Sequence, residues 1–294
     1  MVVEELRCAR LRAAALARVA LIVLLMSGAS AHAADRRVIA SGMENPESVV
    51  IGRDGRLYMT VIGKSDVDGD GTVAVIVGGK PQTFAKGLDD PKGLVARGTD
   101  LFVADKTRVW KIDSEGKAGV YAAAEDFPSK PKFLNDIEVS PAGDVFVSDC
   151  GTFTSDAAVF RITSDRKVSV LVDQKSFPAL KAANGLLMDG KDHLLVADFT
   201  AGRLYRCRLA DGSMVELASE LGGADGLARD AKGRIYVSDW IGGKVFVLEP
   251  GSTKPTLYAD KFQAAADILY SAKGGALLVP DMKSGTLSAV TVDQ

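Results

Sequence analysis

Asp225-Gly-Leu-Ala-Arg-Asp-Ala-Lys-Gly-Arg-Ile-Tyr-Val-Ser-Asp239 decides the fold of this chain. Two apolar, β-prone segments flank a turn, and Gly233 stands where a tight hairpin needs an unusual φ. The same frame recurs from Glu47 to Val61, Asn135 to Asp149, Asn184 to Asp198 and Asp267 to Asp281, each with an offset of 14 between its ends. A sixth copy, Lys92 to Asp105, is one residue shorter at the turn. Successive frames start 45, 43, 49, 41 and 42 residues apart, and periods of roughly 40–50 residues are those of propeller blades. Further strand-like segments such as Arg108 to Ile112, Ala158 to Ile162 and Lys244 to Leu248 follow the hairpins. The expectation is an all-β chain, a six-bladed β-propeller with four strands per blade. After the last hairpin only Thr286 to Val292 is left for one strand, so Val38-Ile39-Ala40 is expected to complete the sixth blade and close the ring.

Outside the repeats, residues 1–33 form a signal peptide by pattern: Arg7, Arg10, Arg12 and Arg18, then the apolar run Val19 to Met26, then Ala31-His32-Ala33 as a small-x-small cleavage site. The run is far below the roughly 20 residues of a spanning helix. Residues 34–294 are therefore read as one soluble propeller domain, periplasmic or secreted, with no membrane contact after cleavage and expected to be a monomer. The formal charge of −2 over 294 residues, with no basic cluster, speaks against a nucleic-acid partner. Cys150 and Cys207 outlast the signal but fall at non-equivalent places in different repeats, so two separate buried thiols are expected rather than a disulfide.

A hairpin that runs out and back returns to the face it left, so frame starts and frame ends gather at one mouth. The starts are Glu47, Lys92, Asn135, Asn184, Asp225 and Asp267; the ends are Val61 and five aspartates. The repeated aspartates fit a turn-capping role. The starts differ in type while their frames agree, which marks a functional position. Glu47, Asn135, Asn184 and Asp225 supply hard oxygens suited to one divalent ion, calcium first, with magnesium, manganese or zinc as alternatives. Packed carboxylates without a cation would push at least one pKa upward.

These frame starts also carry a resemblance. Asn45-Pro46-Glu47-Ser48, Phe133-Leu134-Asn135-Asp136, Ala183-Asn184-Gly185-Leu186 and Ala224-Asp225-Gly226-Leu227, in register with the repeats, resemble the motifs of the senescence-marker protein (regucalcin), gluconolactonase and luciferin-regenerating-enzyme family. The resemblance implies Glu47, Asn184 and Asp225 as metal ligands, with Asn135 completing the shell or binding substrate. It implies metal-assisted hydrolysis of a lactone or related ester, a small-molecule substrate. Asp225 is the candidate general base. Lys92 is a candidate to steady an oxyanion or substrate carboxylate, or else a solvated rim lysine, and Asp267 shares the base or substrate-binding role or is structural.

Two departures qualify the resemblance. Sugar lactonases of the family carry Arg where this chain has Phe133, which favours a less polar substrate. His193, the one histidine after the signal, is expected on the surface at the opposite face, which leaves no Ser-His-Asp triad. Asp66-Val67-Asp68-Gly69-Asp70-Gly71 starts like a calcium loop but has Val77 at the twelfth position, so a polar insertion is the simpler reading. Phe153, Phe199 and Trp240 follow frame ends and either wall a pocket or pack ordinarily. The rival to a hydrolase is a non-catalytic propeller that binds a ligand or protein at its mouth; a third option is another reaction on the scaffold, such as the condensation of strictosidine synthase-like proteins.

Overall fold

A computed structural model describes residues 35–293. The signal segment expected over residues 1–33 lies outside the described residues. Among the described residues there are six four-stranded antiparallel sheets and one single-turn 3-10 helix, Ala124–Asp126. Blade 1 runs outward in chain order through Pro46–Ile51, Leu57–Val61, Gly71–Val77 and Lys80–Leu88, and the next four blades repeat that order. Blade 6 takes Leu269–Ser271, Ala276–Asp281 and Thr286–Thr291 from the end of the chain and Arg36–Ser41, outermost, from its beginning. The six-bladed propeller and its closure by the N-terminal strand are thus as the repeat predicted. The innermost strands of neighbouring blades lie against one another around the axis.

The core sits between blades. Facing sheets interleave apolar residues, as where Phe146, Val159, Leu194 and Tyr205 meet between blades 3 and 4, all fully buried. Each such side chain stabilises the fold by about 1.5–3 kcal/mol through burial. At the hairpin tips Gly55, Gly143 and Gly233 adopt φ of 79°, 90° and 83°, a region open to glycine without strain.

Each frame-end aspartate fastens its second strand to the entry of the first. Asp105 accepts backbone N–H bonds from Asp89 and Asp90 at 2.9 and 2.7 Å, Asp149 from Lys132 and Phe133 at 2.9 and 2.8 Å, and Asp198 from Lys181 and Ala182 at 2.7 and 3.1 Å. Asp239 and Asp281 do the same for blades 5 and 6. Blade 1, with Val61 in that place, is tied by Asn45, whose φ is 55° and whose Nδ2 donates to the Gly63 carbonyl at 2.9 Å. These aspartates are structural caps.

Pairing register reveals what the frame spacing hides. Glu47 and Ser48 together oppose Thr60 alone, since Pro46 pairs with Val61 and Val49 with Met59. The same two-against-one bulge falls at Lys92-Gly93, Asn135-Asp136, Asn184-Gly185 and Asp225-Gly226. Blade 6 departs from the expected frame. Ala265 pairs with Asp281 and Leu269 with Leu278, so the residue equivalent to Asp225 is Ala266, and Asp267 is equivalent to Gly226. The cause is one extra residue in the blade 6 turn between Ser271 and Ala276, which a constant offset counted back from Asp281 cannot register.

His193 opens the second strand of blade 4, at the end away from Asp198, and is half-buried rather than fully exposed. The acidic loop joins the second and third strands of blade 1. Asp68 pairs with Lys106 Nζ at 2.6 Å, and Asp70 accepts the Lys64 N–H at 3.0 Å. Cys150 and Cys207 are separate, buried thiols.

Candidate functional site

A β-bulge turns the side chain of its extra residue out of the sheet's alternation, and here five bulges do so at one mouth of the axis. Glu47, Lys92, Asn135, Asn184 and Asp225 form the floor of a cavity of about 310 Å³. The strands bearing them approach so closely that a Cβ on Gly185 would strike the Asp225 carbonyl oxygen, and one on Gly93 would strike Asp136. The floor residues are 2–7% exposed. Glu47 Oε2, Asn135 Oδ1, Asn184 Oδ1 and Asp225 Oδ1 are each buried without a hydrogen-bond partner. Buried polar atoms are nearly always partnered, so these four oxygens, from four blades on one cavity floor, are the ones that could hold a cation. No group of three or more His, Cys, Asp or Glu side chains fit to hold a metal occurs among the described residues. This set has only two carboxylates and takes its other two oxygens from carboxamides.

Asp267 is not brought to that floor. It lies one layer further down the axis, where its Oδ2 accepts the Ser48 hydroxyl at 2.6 Å and its N–H donates to the Glu47 carbonyl at 3.1 Å. Asp136 occupies the same layer, accepting the N–H groups of Ile137 at 2.6 Å and Leu186 at 2.5 Å. Below them Glu138 accepts from Val139 and Met188. Carboxylates therefore stack down the axis from the mouth.

The stack sets the electrostatics. Burial, then Asp225, Asp267 and Asp136, push the Glu47 carboxyl well above its ordinary value, with Lys92 opposing. Burial and then Asp267 and Asp239 do the same to Asp225. Asp267 is pushed up to about 7, chiefly by burial. Lys92 is lowered by burial, against the pull of Glu47 and Asp90. Its Nζ donates to the Asp90 carbonyl at 3.1 Å and lies 4.3 Å from the Phe133 ring centroid. Lys92 is buried at the floor, which removes the reading of it as a solvated rim lysine.

The walls differ from the floor. Ile62, Phe133, Phe153, Phe199, Trp240 and Met282 enclose the cavity. Four rings follow one another, Phe133 to Phe153 at 5.0 Å and Phe153 to Phe199 at 5.7 Å edge-on, and Phe199 to Trp240 tilted at 6.2 Å between centroids. The Trp240 indole N–H points to the Met282 sulfur at 3.3 Å. Four wall residues directly follow a frame end, and a backbone bond holds each against the entry of its own blade: Ile62 to Asn45, Phe199 to Ala182, Trp240 to Gly223 and Met282 to Ala264, at 2.9–3.1 Å. Phe153, Phe199 and Trp240 are thus wall residues. Ile62 and Met282 went unnoticed in the sequence, although their place after a frame end carried the same signal.

A six-bladed propeller with a buried cluster of oxygen donors beneath an apolar mouth is the class that fold and site define. The chain matches the SMP-30/gluconolactonase/LRE-like region over residues 45–259. It belongs to that family. Among solved structures it is similar to a gluconolactonase from Xanthomonas campestris (16% identity, 88% of this chain and 90% of that one, TM-score 0.72). It is similar also to a putative gluconolactonase (19%, 90% and 95%, 0.71) and to regucalcin, a calcium-binding protein from Agrobacterium tumefaciens (16%, 88% and 94%, 0.71). At these identities the likeness is one of fold. No curated protein matches the chain.

Proposed function

We propose that this protein is a metal-dependent hydrolase of a lactone or related ester, with Glu47, Asn184, Asp225 and Asn135 holding one divalent ion, calcium first. The four orphaned buried oxygens carry this reading. Two carboxylates and two carboxamides form a hard, all-oxygen set whose two negative charges balance a dication, and no histidine or cysteine lines the cavity to select a softer metal. Membership of the family supports the reaction class, and the similar structures include a gluconolactonase and a calcium-binding protein.

When bound, the ion would polarise the substrate carbonyl and favour the developing negative charge. Asp225 takes the proton of the attacking water; burial and the neighbouring Asp267 favour its protonated form in the metal-free chain, and a nearby cation would favour the ionised form that accepts a proton. Lys92, buried at the same floor, places a positive charge where the carbonyl oxygen becomes anionic. The apolar walls exclude bulk water and so strengthen both effects.

The test is proton release from a lactone panel, with calcium, magnesium, manganese and zinc supplied in turn and then chelated. Hydrolysis is expected with metal and lost on chelation. Asp225→Asn should abolish turnover and weaken calcium binding measured by calorimetry. Absence of hydrolysis with every metal, together with calcium binding indifferent to Asp225→Asn and Glu47→Gln, overturns the proposal.

A further inference from the structure

The walls of the cavity carry information that the floor does not. Phe133, Phe153 and Phe199 have no hydrogen-bonding group. The indole N–H of Trp240 is directed at Met282, and the Lys92 ammonium is engaged by the Asp90 carbonyl and the Phe133 ring. A polyhydroxylated ring placed here would bring several hydroxyls against aromatic walls that offer them no partner, and an apolar pocket disfavours an added hydroxyl by up to about 100-fold. A flat apolar ring meets the opposite situation. Four aromatic side chains from blades 3, 4 and 5 form one continuous band, edge to face from Phe133 through Phe199 and tilted between Phe199 and Trp240, and such a band leaves ring faces and edges for another aromatic group at the same spacing.

Size narrows the choice. About 310 Å³ lies at the small end of ligand cavities, enough for a fused bicyclic molecule and too little for a peptide or an oligosaccharide. Polar and apolar halves are also segregated, with all oxygen donors beneath and all rings to the side. The ligand therefore has one polar end, carrying the carbonyl, and one apolar end.

We infer that the pocket selects a compact ring compound with an aromatic group, which on the proposed hydrolase reading is an aryl-fused or aryl-substituted lactone. Phe199 and Trp240 are its specificity-determining residues. Hydrolysis of such a lactone adds water across the acyl–oxygen bond and releases a hydroxy acid, with no other co-reactant.

Two measurements separate this inference from the hydrolase reading on which it rests. With calcium present, kcat/KM is compared for dihydrocoumarin, γ-butyrolactone and glucono-δ-lactone; independently, coumarin, the unsaturated analogue, is titrated into the protein by calorimetry. Dihydrocoumarin is expected to be preferred over glucono-δ-lactone by at least about 100-fold, in the range that hydrogen-bond mismatch supplies. Phe199→Ala and Trp240→Ala should each lower its kcat/KM on the order of 10- to 100-fold and weaken coumarin binding in parallel, while Phe199→Leu recovers part of both. Equal or greater kcat/KM for glucono-δ-lactone overturns the inference and leaves the hydrolase reading standing. Saturable coumarin binding without hydrolysis of any lactone supports aromatic recognition and overturns the hydrolase reading. Failure of coumarin to bind, or binding unaffected by Phe199→Ala and Trp240→Ala, overturns the inference whatever the turnover; unchanged thermal midpoints certify that the variants are folded.

Discussion

Asp267→Asn should stabilise the metal-free protein, and increasingly so as pH rises. In the folded chain Asp267 is pushed up to about 7 from an ordinary 3.8, mainly because the axial channel strips water from it. A carboxyl raised on folding contributes stability that is complete below its unfolded pKa and is lost as pH rises through the folded one. The whole gap of about three pH intervals corresponds to roughly 4 kcal/mol, and the part crossed between pH 5 and 7 to about 2–3 kcal/mol after allowing for residual channel water. Asparagine keeps an oxygen for the Ser48 hydroxyl at the 2.6 Å bond yet cannot ionise. It also lifts a negative charge from Glu47, Asp136 and Asp225, each of which Asp267 pushes upward, so these secondary effects share its sign. The assay is the thermal midpoint by circular dichroism in chelator at pH 5 and pH 8. At about 2–4 °C per kcal/mol for a domain of this size, the wild type should lose roughly 4–12 °C more than the variant between the two values. A pH-dependent loss equal in both proteins, within about 2 °C, would show that Asp267 ionises freely and that the axial stack is well solvated.

Two further outcomes test the architecture. Asp198→Ala removes the acceptor of the Lys181, Ala182 and Ala201 N–H groups and should destabilise the protein by about 3–5 kcal/mol, read as a shifted urea midpoint; a shift below about 1 kcal/mol would show that water replaces the fastening. Removing Arg36–Ser41 uncovers the Thr286–Thr291 edge of blade 6, and size-exclusion chromatography should then show edge-paired oligomers or aggregate. A well-behaved truncated protein with an unchanged thermal midpoint contradicts ring closure by that strand.

The blades were legible because each must bury the same faces against its neighbours, which forces Leu194-Leu195-Val196 and Ile235-Tyr236-Val237 into the same place in every period. The oxygen set was legible for the converse reason, that Glu47, Asn135, Asn184 and Asp225 differ where packing would have kept them alike. Asp267 was misplaced because a turn can lengthen by one residue at the far face without disturbing the pairing of Ala265 with Asp281. Counting from the wrong side of that turn moves a side chain from the axial layer to the floor. Ile62 and Met282 stayed hidden because an apolar residue at the mouth looks like core until the direction of its backbone is known.

The bulges explain why such a regular repeat can hold an irregular site. An ordinary strand alternates its side chains between two buried inter-blade faces, so any departure from an apolar residue there is destabilising. Two residues set against one break that alternation at a single point per blade, and Glu47, Asn135, Asn184 and Asp225, the first residues of these bulges, line the cavity at the axis. Holding the bulge falls to other groups. Thr60, Ser148 and Ser238 receive the N–H of its second residue at 2.8–2.9 Å, and the frame-end aspartates pin the strand just before it. Neither device depends on which side chain the bulge carries. The floor can therefore hold Lys92 in one blade, Asn184 in another and Asp225 in a third, and its chemistry can change by substitution at five positions without altering how those blades fold.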